Sequence, residues 1–302
     1  MKILNFGSLN LDYTYRVPHI VAPGETITSG GLEIYPGGKG LNQSVALAKA
    51  GAEVYHAGQI GEDGSMLKQV CETSGVDTRF IRTSEVRSGN AIIQLDDSGQ
   101  NCIILFPGAN RAIEKEFVDE VLAHFNAGDC LLLQNEISNL PYIIERASQA
   151  GLEIILNPSP MDDRLLSCDM TKVSMFILNE VEGAQLTGKT ETEEILSKMR
   201  DLYPEAEIVL TLGSEGSVYC GKEETIRQGI VPTKAEDTTG AGDTFTGFFI
   251  AEYFGHRDPK KALETASMAA SIAVSRKGAA SSIPDMEEVQ KRMESVSCEE
   301  KH

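Results

Sequence analysis

The sequence predicts an α/β protein with a doubly wound, mainly parallel sheet, helices on both faces of that sheet, and a small β-sheet lid. Two observations lead to this prediction. Between about residues 120 and 230, short apolar runs alternate with helical stretches, which is typical of buried parallel strands joined by helices. Nearer the N-terminus, two stretches rich in β-forming residues alternate polar and apolar positions and have little helical character.

The apolar runs predict the strands of the main sheet. A first strand is expected within residues 1–7, where Gly7 provides the turn. Further strands are predicted at residues 130–134, 154–157, 175–178 and 208–212, and helices at 141–150 and 192–203. In such sheets ligands bind beyond the carboxyl ends of the strands, so functional side chains are expected at that edge.

The small sheet is predicted from residues 13–36 and 88–106, which are inserted at two points into a single domain spanning residues 1–302. Turn signals interrupt both stretches, at Pro23 and Gly24 and at residues 96–99. A small sheet hinged over the strand ends would close as a lid, and lids exclude water from a reaction site.

The composition narrows the classes of partner. Lys and Arg total 27 against 45 Asp and Glu, a formal net charge of −18, so neither nucleic acid nor an acidic membrane is expected as a partner. No apolar run reaches the roughly 18 residues of a membrane span, and no signal-peptide core is seen, so a cytoplasmic protein is expected. The six cysteines include no C-x-x-C pair, which favours scattered thiols over disulfides or a zinc site.

The most informative motif runs from Asp237 through Thr-Thr-Gly-Ala-Gly-Asp-Thr to Phe245. A helical apolar pattern follows it, which places Gly240, Ala241 and Gly242 at a helix N-terminus, where free N–H groups and the helix dipole favour an anion. Asp243 would lie beside that anion in the first turn. Such a carboxylate suits a general base that accepts the proton of an attacking hydroxyl. The alternative from this motif alone is that Asp243 only caps the helix.

Two further motifs lie nearer the N-terminus. Residues 36–43 have the sequence Pro-Gly-Gly-Lys-Gly-Leu-Asn-Gln, in which the glycines permit close backbone contact while Lys39 and Asn42 add hydrogen-bond donors. No Ser or Thr follows the lysine, so this is not a P-loop, and a simple turn before a helix is the alternative.

Asn10 and Asp12 point the same way on an extended chain and can bracket vicinal hydroxyls, although an ordinary turn pair is the alternative.

Residues 183–190 match the P-loop pattern by letters, but the context is wrong. A P-loop needs a glycine-rich loop between a strand and a helix. Here the strand ends near Leu178 and a helix is predicted directly after it, so Gly183 would lie inside the helix and Gly188 would end it. We therefore reject a phosphate-binding role for this segment.

Together these residues resemble the ribokinase-like carbohydrate kinases. The resemblance extends from residues 5–12 to residues 276–279, and its two signatures, residues 37–42 and 237–243, occur in the expected order. It implies an ATP-dependent sugar kinase that phosphorylates the 5-hydroxyl of D-ribose to give ribose 5-phosphate. It also implies a doubly wound domain with a lid, and a homodimer formed by pairing of two lid sheets.

The resemblance assigns roles to individual residues. The sugar contacts fall on Asn10, Asp12, Gly38, Lys39, Asn42 and Glu136, with Asp243 as the base and residues 240–243 as the anion hole. The nucleotide contacts fall on Asn179, Thr211, Gly213, Gly216 and Gly242. Glu182 would organise Mg²⁺ through water, and an activating K⁺ would be bound by Asp237, Thr239, Ala273, Arg276, Gly278 and Ser282.

Two alternatives stay open at this point. The first is a kinase of the same family that uses another acceptor, such as 2-deoxyribose, fructose or a nucleoside. An aromatic content of 6% disfavours the nucleoside, because a base needs an apolar or aromatic wall. The second is a catalytically silent sugar-binding regulator with the same fold, which is disfavoured because Asp243 and the glycines before it are present.

Overall fold

The structure is a computed structural model and describes residues 1–299. The strands are β1 (Ile3–Phe6), β2 (Asn10–Val17), β3 (Gly31–Gly37), β4 (Val54–Ile60), β5 (Asp77–Thr83), β6 (Gly89–Asp96), β7 (Asn101–Phe106), β8 (Cys130–Gln134), β9 (Glu153–Asn157), β10 (Met175–Asn179), β11 (Glu207–Thr211), β12 (Ser217–Cys220) and β13 (Thr225–Gln228). The helices are α1 (Lys39–Lys49), α2 (Ser65–Thr73), α3 (Lys115–Leu122), α4 (Leu140–Gln149), α5 (Glu180–Thr187), α6 (Thr192–Leu202), α7 (Ala241–His256), α8 (Pro259–Val274) and α9 (Met286–Glu299).

The main sheet has nine strands in the order β13-β12-β11-β10-β9-β8-β1-β4-β5. The neighbours from β11 to β5 all pair in parallel, and only β12 and β13 are antiparallel. Helices cover both faces, so β1 contributes Ile3 to one core and Leu4 and Phe6 to the other. Burial on both faces explains why these strands are nearly continuous apolar runs. The predicted doubly wound α/β fold is confirmed.

Most predicted elements of this sheet lie within one residue of the observed ones. Strand β8 occupies residues 130–134 as predicted, whereas β11 is Glu207–Thr211 rather than 208–212. The difference arises because Leu212 already belongs to the turn that follows, where Leu212 N–H donates to Gly216 O at 2.8 Å. Helix α5 includes Gly183 and ends before Gly188, which has a left-handed φ of 70°, so the helical prediction for the P-loop-like segment is confirmed.

The second sheet is separate and has four strands in the order β3-β2-β6-β7. Its strands come from the two predicted N-terminal stretches, although residues 18–30 between β2 and β3 contain no strand. One face carries a cross-strand row of Ile34, Tyr13, Ile92 and Ile104. The opposite face carries Asp12 and borders a pocket shared with the main domain. None of the helices within residues 1–299 is long and apolar enough to cross a membrane.

Candidate active site

A pocket of about 270 Å³ lies at the carboxyl ends of β9, β10 and β11, beside the N-terminus of α7. This is the edge at which ligands bind in open parallel sheets. Seven residues that the sequence singled out line it: Lys39, Asn179, Glu182, Thr211, Gly240, Gly242 and Asp243. A second pocket, which shares Thr238 with the first, lies under the small sheet and is lined by Asp12, Asp237, Thr239 and Gly278, among others.

The N-terminus of α7 presents free backbone donors to the first pocket. Gly240 has a left-handed φ of 74° and begins the helix by accepting Thr244 N–H at 2.8 Å. The N–H groups of Gly242 and Asp243 make no hydrogen bond to any described residue. The N–H of Ala241 differs, since it donates to Thr238 O at 3.2 Å. Within the predicted anion hole at residues 240–243, the N–H of Ala241 is therefore already engaged, whereas those of Gly242 and Asp243 are not.

The carboxylate of Asp243 is buried and faces α1. Its Oδ2 accepts Asn42 Nδ2 and its Oδ1 accepts Gln43 Nε2, each at 2.9 Å. It makes no capping hydrogen bond to its own helix, whose N-cap is Gly240. The alternative that Asp243 only caps the helix is therefore wrong. The side chain is instead held by two neutral donors from another part of the chain, at the pocket wall.

The start of α1 brings a cation next to these acids. Gly38 has a φ of 93° and precedes the helix, so that Lys39 N–H donates to Glu136 Oε2 at 3.1 Å. Burial alone would lower the pKa of Lys39, but the carboxylates of Asp243, Glu136 and Glu182 outweigh burial and raise it. The ammonium group is therefore charged at neutral pH. It is positioned among the carboxylates of Asp243, Glu136 and Glu182 and offsets part of their negative charge.

Asn10 and Asp12 lie on the same side of β2, as their spacing predicted. Asn10 is buried, and its Oδ1 accepts Asn110 Nδ2 at 2.7 Å. The carboxylate of Asp12 lies against Gly37, and any side chain at position 37 would overlap it. Burial, with the nearby charge of Glu136, raises the pKa of Asp12 to about 7. Asp12 is thus an acid that changes its charge near neutral pH.

Two further acceptors are available to a sugar. Glu136 accepts a hydrogen bond from Ser8 Oγ in addition to that from Lys39 N–H, and burial is the main cause that raises its pKa. Asn42 Oδ1 is buried and has no hydrogen-bond partner, although its amide nitrogen donates to Asp243. A buried acceptor without a partner carries a free-energy cost that a ligand hydroxyl would remove.

The predicted nucleotide residues fall into two groups. Asn179 and Glu182 form a capping box at the start of α5, in which Asn179 Oδ1 accepts Glu182 N–H at 2.9 Å and Glu182 Oε2 accepts Asn179 N–H at 3.1 Å. They line the pocket together with Thr211. Gly213 and Gly216 shape the following turn with positive φ values of 52° and 97°, but they do not line this pocket.

The residues predicted to bind K⁺ lie on two adjoining loops. Asp237 accepts Thr239 N–H and Gly278 N–H, each at 2.9 Å, which joins the loop before α7 to the loop after α8. Ala273 O accepts Arg276 N–H at 3.1 Å, and Ser282 Oγ donates to Ala279 O at 2.8 Å. The side chain of Arg276 is paired with Glu288, so only backbone atoms of Arg276 remain for an ion.

Several residues of the site were missed from sequence. Ser8 hydrogen-bonds Glu136 and Asn110 hydrogen-bonds Asn10, while Gln43 hydrogen-bonds Asp243 and Gln134 hydrogen-bonds Gln43. Gln43 is the last residue of the motif at residues 36–43, in which the sequence drew attention to Lys39 and Asn42 as donors. Asn110 follows the Pro-Gly turn at the end of β7, which was the available signal. Within residues 1–299, no group of three or more His, Cys, Asp or Glu is placed to hold a metal ion.

Comparison with known proteins gives a consistent result over nearly the whole chain. The model of the pfkB family carbohydrate kinases matches residues 1–286. A ribokinase of Haemophilus influenzae is 36% identical over 296 residues, covering 93% of this chain and 95% of the relative, and a deoxyribokinase of Salmonella typhi is 30% identical with 95% and 97% covered. An Arabidopsis thaliana ribokinase solved with ribose and ATP has a TM-score of 0.84 at 32% identity, covering 96% of this chain and 97% of that one.

Proposed function

The chain belongs to the pfkB family of carbohydrate kinases and is an ATP-dependent sugar kinase, and on this premise we propose that its acceptor is D-ribose. The products would be ribose 5-phosphate and ADP. The proposal is supported by ribokinase relatives that span the same length and by a structural neighbour that binds ribose and ATP. It is also supported by the site, where two acceptors for hydroxyl groups, Asn42 Oδ1 and the carboxylate of Glu136, belong to residues that contact or interact with Asp243.

In the proposed reaction Asp243 accepts the proton of the 5-hydroxyl while the hydroxyl oxygen attacks the γ-phosphorus of ATP. The new P–O bond forms as the bond to the ADP oxygen breaks, and charge spreads over the transferring oxygens. The unengaged N–H groups of Gly242 and Asp243, at the positive end of the α7 dipole, would stabilise that charge. Gly240 makes this arrangement possible, because its left-handed φ disfavours a side chain there.

The sugar would be held by Asn10, Asp12, Asn42 and Glu136, with Lys39 balancing the carboxylates. The support is the donor and acceptor inventory. Asn42 Oδ1 has no partner, and the carboxylates of Asp12 and Glu136 are pure acceptors when ionised. Sugar hydroxyls are donors as well as acceptors, so they match this set. Gly38 would allow close approach, since its φ of 93° is rarely adopted by other residues.

Glu182 is the residue we assign to Mg²⁺. Its Oε2 is engaged in the capping box, while its Oε1 has no hydrogen bond among the described residues and the side chain lines the pocket. One carboxylate suits Mg²⁺, which keeps several waters and is bound mainly by substrate phosphates. When bound with ATP, the ion neutralises phosphate charge. Asn179 would orient Glu182 and contact the phosphates, with Thr211, Gly213 and Gly216 shaping the nucleotide side.

We assign an activating K⁺ to the loops around Asp237. The donor set is one carboxylate, oriented by Thr239 and Gly278, together with backbone carbonyl groups of Ala273, Arg276 and Gly278 and the hydroxyl of Ser282. Hard cations prefer oxygen ligands of this kind. The loop that carries Asp237 and Thr239 ends at Gly240, the N-cap of α7, so a cation bound there would fix the position of the N–H groups at the start of α7.

The small sheet supports two further proposals. Its outer face exposes Ile34, Ile92 and Ile104, which are 42%, 41% and 60% exposed, so a second copy of the sheet would bury them in a homodimer. Its inner face borders the pocket that contains Asp12, so the sheet would close over the sugar as a lid inserted in one domain. We also propose that the enzyme works in the cytoplasm, where ATP, Mg²⁺ and K⁺ are all available.

The single observation that carries the function is the buried carboxylate of Asp243, placed between free helix N–H groups and a buried acceptor without a partner. The Asp243→Asn variant should lose at least about 10²-fold in kcat with little change in ATP affinity, as expected for a positioned base. An exposed acid on α6 provides the control, since Asp201→Asn should leave kcat unchanged. A near-normal kcat for Asp243→Asn would disprove the role of the base.

A second candidate acceptor is 2-deoxyribose, because a deoxyribokinase is among the relatives at 30% identity. ADP release with ATP, Mg²⁺ and K⁺ should be measured with ribose, 2-deoxyribose, fructose, adenosine and pseudouridine, each titrated. The highest kcat/KM with ribose supports the proposal, and a higher value with another sugar overturns the choice of acceptor. Absence of turnover with every acceptor would support a silent sugar-binding regulator.

A further inference from the structure

A continuous line of buried polar side chains extends from Asp243 into the core beneath the sheet edge. Gln43 Nε2 donates to Asp243 Oδ1 at 2.9 Å, and Gln134 Nε2 donates to Gln43 Oε1 at 2.7 Å and to Asn5 Oδ1 at 3.0 Å. Gln43, Gln134 and Asn5 have no exposed surface. Burying three neutral amides costs free energy even when they are hydrogen-bonded, so apolar side chains at these positions would cost less. The amides therefore call for an explanation in terms of the site.

The orientation of each amide is determined from the far end of this line. Asn5 Nδ2 donates to the backbone carbonyl of Gly40 at 2.7 Å, and a carbonyl can only accept. The Asn5 side chain must therefore direct its oxygen at Gln134, and the NH₂ group of Gln134 donates to that oxygen. That NH₂ group also faces Gln43, which must in turn present its oxygen there. The only arrangement left for Gln43 directs its own NH₂ group at Asp243.

A second, independent anchor leads to the same orientation. Asn157 Nδ2 donates to Ile177 O at 2.9 Å, so Asn157 Oδ1 is the atom that faces Gln43 and accepts its Nε2 at 3.0 Å. Both hydrogens of Gln43 Nε2 are thus used, one on Asn157 and one on Asp243. Gln134 keeps this orientation although its own Oε1 is buried without a partner. The hydrogen bond from Gln43 to Asp243 is therefore kept at the cost of leaving the Gln134 side-chain oxygen without a partner.

The line ends at a neutral histidine. His56 Nε2 faces Gly7 O at 3.2 Å and must carry its hydrogen there, and burial lowers the pKa of His56 to about 4. Its Nδ1 then accepts the hydroxyl hydrogen of Ser44 at 2.8 Å, while Ser44 Oγ accepts Asn5 Nδ2 at 2.8 Å. Each hydrogen bond of the line therefore has a fixed donor and acceptor, and donation runs outward from the NH₂ group of Gln134, through Gln43 to Asp243 on one side and through Asn5 and Ser44 to His56 on the other.

We propose that Gln43 is a positioning residue for Asp243, and that Gln134 and Asn157 hold the Gln43 amide so that its N–H always faces the carboxylate. The inference rests on the proposed role of Asp243 as base. Two neutral donors, from Gln43 and Asn42, fix the plane of the carboxylate without neutralising its charge. Amides do not relay protons, so the line orients the base rather than conducting its proton away.

The test uses the pH dependence of kcat, which a purely structural role would not change. The charged groups that face Asp243 are Lys39 of α1, Glu136 after β8 and Glu182 of α5, and they are left in place. Gln43→Met keeps the length of the side chain but removes the donor. The ionised carboxylate then loses one hydrogen bond, so kcat should fall about tenfold or more and the acid limb should move up by about one pH unit.

Gln43→Glu should give the opposite dependence on pH. At low pH the protonated carboxyl group can still accept from Gln134 and donate to Asp243. At higher pH it becomes a second charge beside Asp243, which disfavours the arrangement. The activity of this variant should therefore fall as the pH rises, whereas that of Gln43→Met should recover. The KM for ATP should change little in either variant.

Gln59→Met is the matched control, because Gln59 on β4 is also buried but has an Oε1 without a partner and lies outside the line. Thermal unfolding verifies that each variant is folded at the assay temperature. If Asp243→Asn loses activity while both Gln43 variants keep the wild-type pH limbs, the positioning proposal is overturned and the base is not. If Asp243→Asn is active, the proposed function fails first. Opposite pH shifts in the two Gln43 variants support the proposal.

Discussion

Replacing Gly247 with alanine tests how closely α1 and α7 must pack for the base to work. Gly247 lies one turn after Asp243 on α7, and it faces Ala46 and Leu47, one turn after Asn42 and Gln43 on α1. A Cβ atom at position 247 would overlap the Cβ of Ala46 and lie 2.8 Å from Leu47 N. Since ordinary contacts begin at 3.4 Å, relieving the contact with Leu47 N alone requires the two helices to separate by about 0.6 Å, and the closer contact with Ala46 Cβ requires more.

The same displacement determines the functional effect. The two hydrogen bonds to Asp243 are 2.9 Å long, and a separation of about 0.6 Å stretches them to the limit at which such bonds still contribute. We therefore expect Gly247→Ala to lower kcat by about tenfold to 10²-fold, as small misplacements of reacting groups do. Overpacking should also lower the free energy of unfolding by about 1–3 kcal/mol.

Gly255→Ala is the control within the same helix. No atom lies within 4 Å of a Cβ at position 255, so alanine there should leave kcat unchanged and stabilise the helix by about 0.5–1 kcal/mol. Steady-state ADP release below the unfolding transition of every variant gives kcat, and denaturant unfolding gives stability. If Gly247→Ala is destabilised but keeps the wild-type kcat, the link between helix spacing and the base is refuted.

Three other outcomes can be stated from the site. Because Asp12 has a pKa of about 7 and binds hydroxyl hydrogens best when ionised, the sugar KM should rise as the pH falls below 7, by up to about tenfold per unit, and Asp12→Asn should lack this titration. Glu182→Gln keeps an acceptor for the capping box but loses its charge, so the Mg²⁺ concentration for half-maximal rate should rise with no loss of thermal stability; an unchanged Mg²⁺ titration contradicts the assignment. Ile104→Glu on the outer face of the small sheet should yield monomers in sedimentation velocity, whereas Ile103→Glu on the opposite face should not; dimers in both variants would place the interface elsewhere.

Local patterns in the sequence were sufficient to predict five of the nine strands of the main sheet, β1 and β8 to β11, and the helix that carries Asp243, whereas β4, β5, β12 and β13 were not predicted. The run from Cys130 to Gln134 is apolar because both faces of β8 are covered, and the motif ending in Asp243 shows a helix start through its small residues. These signals lie within a few adjacent positions. They are therefore visible without knowledge of the rest of the chain.

The surroundings of Asp243 could not be predicted in this way, because they depend on residues far apart in sequence. Gln43 and Asp243 are 200 positions apart, and Gln134 and Asn5 are 129 apart. A glutamine in a buried helix and another at the end of a strand give no sign of each other in a single sequence. Whether Asp243 caps its own helix likewise depends on which donors reach the carboxylate, and only the packing of α1 on α7 brings Asn42 and Gln43 to it.

If Asp243 is the base as proposed, its contact with Asn42 also sets when a chain under synthesis becomes active. The two residues are separated by 201 positions, so at about 5–20 residues per second a ribosome needs on the order of 10–40 s to make the second after the first. A nascent chain can form β1 and α1 long before α7 exists, and such an intermediate has neither the base nor the anion hole. On the proposed role of Asp243, nucleotide turnover therefore starts only when α7 has docked on α1, and chains that end before Asp243 cannot consume ATP through this site.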